Sequence, residues 1–213
     1  MRRRSAPALV FAAVLGALVA VGPVPAAAQQ DFPVTPDPAA CQVEPRAADD
    51  LLALWYGPAG SPVAALPNGE AATEVVISLG PPADAATVAA IEATVVEVFA
   101  CFAAGDFPRA TALFTDELVA RFGPEPGTPE EEARAFVEAT PEPEGEPTLI
   151  LAITDVMDLG GGRVGAFVVE RSGGDPPLTS YAVFVESDGR WLVDDVVEFS
   201  TPAFEEGEGT PAP

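Results

Sequence analysis

Apolar residues recur at helical spacing through the first half of the chain and in strand-like runs through the last third. From Asp84 onward, Val88, Ile91, Val95, Phe99 and Phe102 fall three or four positions apart, which gathers them on one stripe of an α-helix. Asp84 is a good N-cap and Gly105 a natural stop. Cys101 falls on the flank of the stripe. Asp106 caps a second helix carried by Phe107, Pro108, Ala110, Leu113 and Phe114. Thr115-Asp116 interrupts it, and Leu118, Val119 and Phe122 continue on another short turn. Upstream, Leu51 and Trp55 are four apart, as are Leu52 and Tyr56, which predicts a short helix over 47–56. That helix is too short to be stable alone and must dock on something. Downstream, Thr128-Pro129-Glu130-Glu131 has the form of a capping box, opening a helix whose apolar face is Ala133, Phe136 and Val137.

The last third reads as a β-meander. Leu149 to Asp158, Val164 to Arg171, Leu178 to Glu186 and Trp191 to Phe199 are four strand-like runs. Gly160-Gly161-Gly162, Gly173-Gly174-Asp175-Pro176 and Ser187-Asp188-Gly189-Arg190 separate them. Asp188-Gly189 is a strong hairpin signal, and short turns make neighbouring strands antiparallel. Helices first and an antiparallel sheet after them is an α+β layout. Two stretches fall outside it. Residues 29–40 are Pro-rich and read as disordered. Residues 57–83 read as a linker in which Glu74 to Leu79 forms a short edge strand.

Composition narrows the chemistry. The chain has 213 residues, 33 acidic against 10 basic, for a net charge of −23. Every basic residue is arginine, and histidine and lysine are absent. No His general base, Ser-His-Asp triad, His metal site, lysine Schiff base or P-loop lysine is therefore available. The charge argues against nucleic acid and anionic membrane surfaces, both of which are met by basic residues. More than half of the acids lie in 29–83, 124–147 and 200–213, where they read as solvated decoration. No calcium-loop pattern is present, so no metal site and no cofactor is expected.

The N-terminus has the form of a targeting segment. Arg2, Arg3 and Arg4 precede an apolar stretch from Ala8 to Val21, and Ala26-Ala27-Ala28 offers a cleavage site before Gln29. The apolar stretch is short of the roughly 20 residues that a spanning helix needs. The reading is a signal peptide over 1–28, with an uncleaved anchor as the alternative, and hence an exported chain without a stable membrane anchor. Export puts Cys41 and Cys101 in an oxidising compartment, where an even count predicts a bridge. Two free thiols are the alternative. A bridge would tie the N-terminal extension, 29–83, to the main unit, 84–200, and the acidic segment 201–213 would be a disordered tail.

Three pieces carry a resemblance. AIEATVVEVFACFAAGDFPRATALFTDEL looks like a helix-turn-helix entrance, strands linked by hairpin turns follow it, and DGRWLVDDVVEF looks like a closing hairpin with a Gly-x-Trp step. In this order, over roughly 84–200, the chain resembles the nuclear-transport-factor-2-like superfamily, which includes SnoaL-like proteins and ketosteroid isomerase. The resemblance implies a cone, with N-terminal helices packed in a curved antiparallel sheet of four or more strands around an apolar pocket. Superfamily members include enzymes, binding modules and assembly domains, so the fold leaves the function open.

Family enzymes use a pocket Asp, Tyr or His. The candidates are Asp116, Asp155, Tyr181, Asp194 and Asp195. Asp116 is a base at the mouth of the cone or, more simply, a helix cap. Asp194 and Asp195 are adjacent in a strand, so one enters the pocket, or a β-bulge puts both in solvent. Tyr181 is a hydrogen-bond donor to a ligand or a core tyrosine. Phe99, Phe102, Tyr181 and Trp191 are the expected ligand-pocket residues. Because no convergent catalytic set is visible, the leading expectation is a non-catalytic exported domain. It would bind a small apolar ligand or serve as an interaction surface, with a homodimer open. The alternative is an isomerase-like enzyme with a pocket Asp as proton shuttle and Tyr181 as donor.

Overall fold

The computed structural model describes residues 31–57, 80–143 and 145–199. The expected signal peptide, the edge strand over 74–79 and the acidic tail lie outside the described residues. Among the described residues five α-helices precede four strands: α1 (Ala48–Tyr56), α2 (Ala85–Ala103), α3 (Phe107–Thr111), α4 (Asp116–Arg121), α5 (Glu130–Val137), β1 (Thr148–Gly160), β2 (Arg163–Ser172), β3 (Leu178–Ser187) and β4 (Arg190–Phe199). The strands form one antiparallel sheet in the order β1-β2-β3-β4. The molecule is thus of the mixed α+β kind that the order of patterns predicts.

The helix ends follow from their residues. The Asp84 carboxylate accepts from the backbone N–H of Ala86 and Thr87, satisfying two donors that the first turn of α2 leaves over. These bonds and one from the Thr87 hydroxyl hold the Asp84 carboxyl below the usual range. At the other end, Gly105 takes φ of +68°. Its N–H donates to the Phe102 carbonyl and the N–H of Asp106 donates to that of Cys101, which is the Schellman arrangement. A side chain at Gly105 would also collide with the Glu142 backbone. The capping box at Thr128 does not form. Helix α5 starts one residue later, with extended Pro129 at its N-cap and no side-chain cap. Thr128 is engaged instead by a turn to Glu125 and by the Tyr56 hydroxyl, which donates to its carbonyl.

Two segments outside the α2–β4 unit are built into it. Cys41 and Cys101 form a disulfide across a sequence separation of 60, and both are buried. Helix α1 docks on α4 and α5, burying Leu51, Leu52, Trp55 and Tyr56. The Trp55 indole N–H donates to the Val119 carbonyl at 3.0 Å. Of residues 29–40, expected to be disordered, the described part is ordered: Val34 and Ile150 exchange two backbone hydrogen bonds of 2.9 Å, and Pro38–Ala40 form a 3-10 turn that packs on α2. The free edge of β1 supplies the reason, since its unpaired backbone groups accept a passing extended segment. Pro81 and Ala83 pair with the same edge further along, at Asp158 and Val156.

The core lies between α2 and one face of the sheet. Ile91 and Cys101 on the helix, and Ile150, Ala166 and Phe184 on the strands, have no exposed surface.

Candidate functional site

Alternation along the strands decides which side chains meet α2. Val164, Ala166, Val168, Glu170 and Ser172 share one face of β2, and the register places Phe184, Ala182 and Ser180 of β3 beside them. On β4 the pairing jumps: Val183 faces Asp195 while Phe184 faces Val193, so Asp194 is the extra residue of a β-bulge. The bulge resets the alternation and returns Val196 and Glu198 to the α2 side. Between that face and the helices lies a cavity of about 440 Å³. Val95, Val98, Phe99 and Phe102 of α2 form one wall, Phe107, Phe114 and Phe122 another, and Val168, Ala182, Phe184, Val193 and Val196 the sheet wall. Rings of Phe102, Phe114 and Phe122 run in contact, with centroids 6.2 and 5.8 Å apart. Phe122 is 49% exposed, which marks the place where the apolar lining reaches solvent.

One end of the cavity is polar: Thr148, Glu170, Ser172, Ser180 and Glu198 line it. Glu198 lies directly across from Ser180, which in turn lies across from Val168, one pleat from Glu170. Burial, with the Glu198 charge adding to it, pushes the Glu170 carboxyl up to about 7. Its Oε2 is buried with no hydrogen-bond partner. Among the described residues the only other such side-chain atom is Arg109 Nε, which sits 3.6 Å from the Asp106 carboxylate. No group of His, Cys, Asp and Glu among the described residues is placed to hold a metal ion.

No protein-family model, curated protein or solved structure gives a significant match to this chain.

Of the residues singled out from sequence, Phe99 and Phe102 line the cavity and the others do not. Trp191 is half-buried against the core on the same sheet face, beyond the lining. Tyr181 lies on the opposite face, because its neighbours Ser180 and Ala182 point into the cavity. There it packs on Phe167 with centroids 5.1 Å apart, and Gly165 leaves room for its ring, which an alanine Cβ would strike. Burial raises its pKa, against the lowering effect of Arg163. The three aspartates at β4 and α4 are given to arginine. Asp116 is the first residue of α4, not its cap, which is Thr115; its exposed carboxylate meets Arg46 at 2.6 Å. Arg46 also donates to the carbonyls of Thr111 and Phe114, so this pair fixes the α3–α4 connection. Asp194 meets Arg163 at 2.9 Å and Asp195 meets Arg121 at 2.8 Å. Asp155 is exposed, with φ of +50°, within an irregularity of β1 between Thr154 and Met157.

Sequence reading passed over Glu170 and Glu198. The signal for Glu170 was its parity with Val164, Ala166 and Val168, three buried positions on one strand face. The signal for Glu198 was hidden by the bulge, since counting back from Glu198 without it puts Val193 on the other face.

Glu170 gives a stability prediction. Between the unfolded value of about 4.5 and the folded value of about 7 the native state binds more protons than the unfolded one, so stability falls as pH rises through that window. The penalty is absent well below pH 4.5 and complete above about 7. Glu170→Gln is expected to gain about 1–2 kcal/mol at pH 8, after discounting for the partly exposed carboxyl, and nothing at pH 4. Urea unfolding at the two pH values checks it, and an equal effect at both would contradict the assignment.

Proposed function

We propose that this chain is an exported small-molecule-binding protein, built as a cone of the nuclear-transport-factor-2-like kind, whose pocket holds a ligand with an apolar body. The observation that carries the reading is the cavity of about 440 Å³, walled by phenylalanine and valine and bearing polar groups at one end. Its size falls in the range of roughly 300–1,000 Å³ of small-molecule sites, and an apolar lining with a few polar groups is their usual make-up. Support for the cone comes from the order of elements, helices and then a four-stranded meander, with α2 across the cavity from the sheet. The basic-apolar-small pattern of residues 1–28 supports export. So does the disulfide, since bridges persist in oxidising compartments.

Saturable binding of the neutral fluorophore N-phenylnaphthylamine is the expected result, with one site per chain and a Kd of roughly micromolar order. Ala182→Phe, which fills the cavity from the sheet wall, is expected to weaken it at least about tenfold. No saturable binding, or undiminished binding in an Ala182→Phe protein with a cooperative unfolding transition, would count against a ligand pocket.

A second reading is favoured by one observation, the Glu170 carboxyl raised to about 7 inside an apolar cavity. Such a group is suited to proton transfer at neutral pH. An isomerase-like reaction would then use Glu170 as its proton shuttle, in place of Asp194, Asp195 and Tyr181, which lie outside the cavity lining. Turnover of a carbon acid that survives Glu170→Gln would remove this reading.

A further inference from the structure

The polar end of the cavity has two carboxyl groups, Glu170 and Glu198, and among the described residues no arginine lines any part of it. Elsewhere the chain places its few cations beside its acids: Asp116, Asp194 and Asp195 each meet an arginine within 3 Å. In the cavity the buried Oε2 of Glu170 is left without a donor. A buried acceptor without a partner destabilises the fold, the more so when charged. A group that brings hydrogen-bond donors and positive charge would recover that cost. Phenylalanine rings line the same cavity, and their faces attract cations.

We propose that this end of the pocket is a cation site. It takes the ammonium group of an amine with an aromatic or alkyl body, which lies along Phe99 and Phe102. The proposal rests on the reading of the cavity as a ligand pocket and adds the charge of the ligand. An anionic ligand is disfavoured by both carboxylates, and a neutral apolar one leaves Glu170 unpaired. A bare metal ion is a poorer fit, because hard cations ask for about six or more oxygen ligands and this lining is mostly carbon. The groups facing Glu170 are few. The α2 wall brings only apolar side chains, β1 brings Thr148, β3 brings Ser180, and β4 brings Glu198. Glu170 is half-protonated near neutral pH in the free protein, so an arriving ammonium displaces a proton from it and binding tightens as pH rises to 8.

Calorimetric titration of the purified full chain at pH 8 with phenylbutylamine, phenylbutanol and phenylbutyrate tests this. These share one apolar body and differ in charge. The amine is expected to bind at least about tenfold more tightly than the alcohol, the strength of a charge-assisted hydrogen bond, and the acid more weakly than the alcohol. In Glu170→Gln/Glu198→Gln the advantage of the amine over the alcohol should vanish. Glu131→Gln, an exposed acid on α5, should keep it. An amine no tighter than the alcohol, or an acid tighter than either, overturns the cation site while leaving the pocket in place. An amine advantage undiminished in the double variant also overturns it, since attraction to the acidic surface would then suffice. Binding of none of the three overturns the pocket reading itself.

Discussion

Replacing Cys41 and Cys101 together by alanine is expected to lower the unfolding free energy by about 4 kcal/mol, the chain-entropy value for a closed loop of this length. The bridge spans 60 residues and closes a loop that contains α1. In the oxidised unfolded chain that loop cannot open, so its conformational freedom is already restricted before folding begins. The folded contacts of the extension remain in the variant: Trp55 to Val119, Tyr56 to Thr128 and Arg46 to the α3–α4 connection. The variant is therefore expected to fold, with a lower denaturant midpoint and a steeper dependence on denaturant, because its unfolded state is more expanded. Reducing agent should reproduce the shift in the wild-type chain and leave the variant unchanged. A loss below about 1 kcal/mol would mean that the extension contributes little to the cooperative unit.

Truncating Phe184 has an expected cost of similar size, about 3–5 kcal/mol for Phe184→Ala. Phe184 has no exposed surface and forms part of the sheet wall of the cavity. Its removal subtracts buried ring area and adds void to a space that is already open. The walls are therefore poorly able to collapse onto it, and the cost depends on that collapse. Urea unfolding measures the loss. The same change is expected to let the pocket accept a bulkier probe than the wild type does. A cost near zero would mean that Phe184 is not packed between sheet and helix.

Element types were legible in the sequence wherever local chemistry decides them. Asp84, Gly105 and Asp106 mark helix boundaries through hydrogen bonds made within a few residues. Asp188 and Gly189, both at positive φ, mark the last hairpin in the same way. The cysteine pair was legible because an even count in a chain expected to be exported predicts a bridge. The site was legible only in its α2 wall, where the period of 3.6 residues places Phe99 and Phe102 on the buried stripe. The sheet wall depends on which strand face meets the helix. That is set by packing of all four strands together and reversed locally by one bulge at Asp194. Tyr181 and Ser180 are neighbours in sequence, and a single-residue difference in register exchanges their faces. The pairing of Val34 and of residues 81–83 with β1 was not legible, because backbone pairing at an open edge depends little on the side chains involved.

The cavity lies on the α2 side of the sheet, with the Glu170 carboxyl in its lining. The side-chain carboxyl carbon of Glu170, followed by NMR in carbon-13-labelled protein and assigned with Glu170→Gln, reports on it directly. The expected result is a titration midpoint near 7 that moves down when phenylbutylamine is present. A midpoint near 4.5, the ordinary value for a glutamate, would place the carboxyl in solvent and remove it from the cavity.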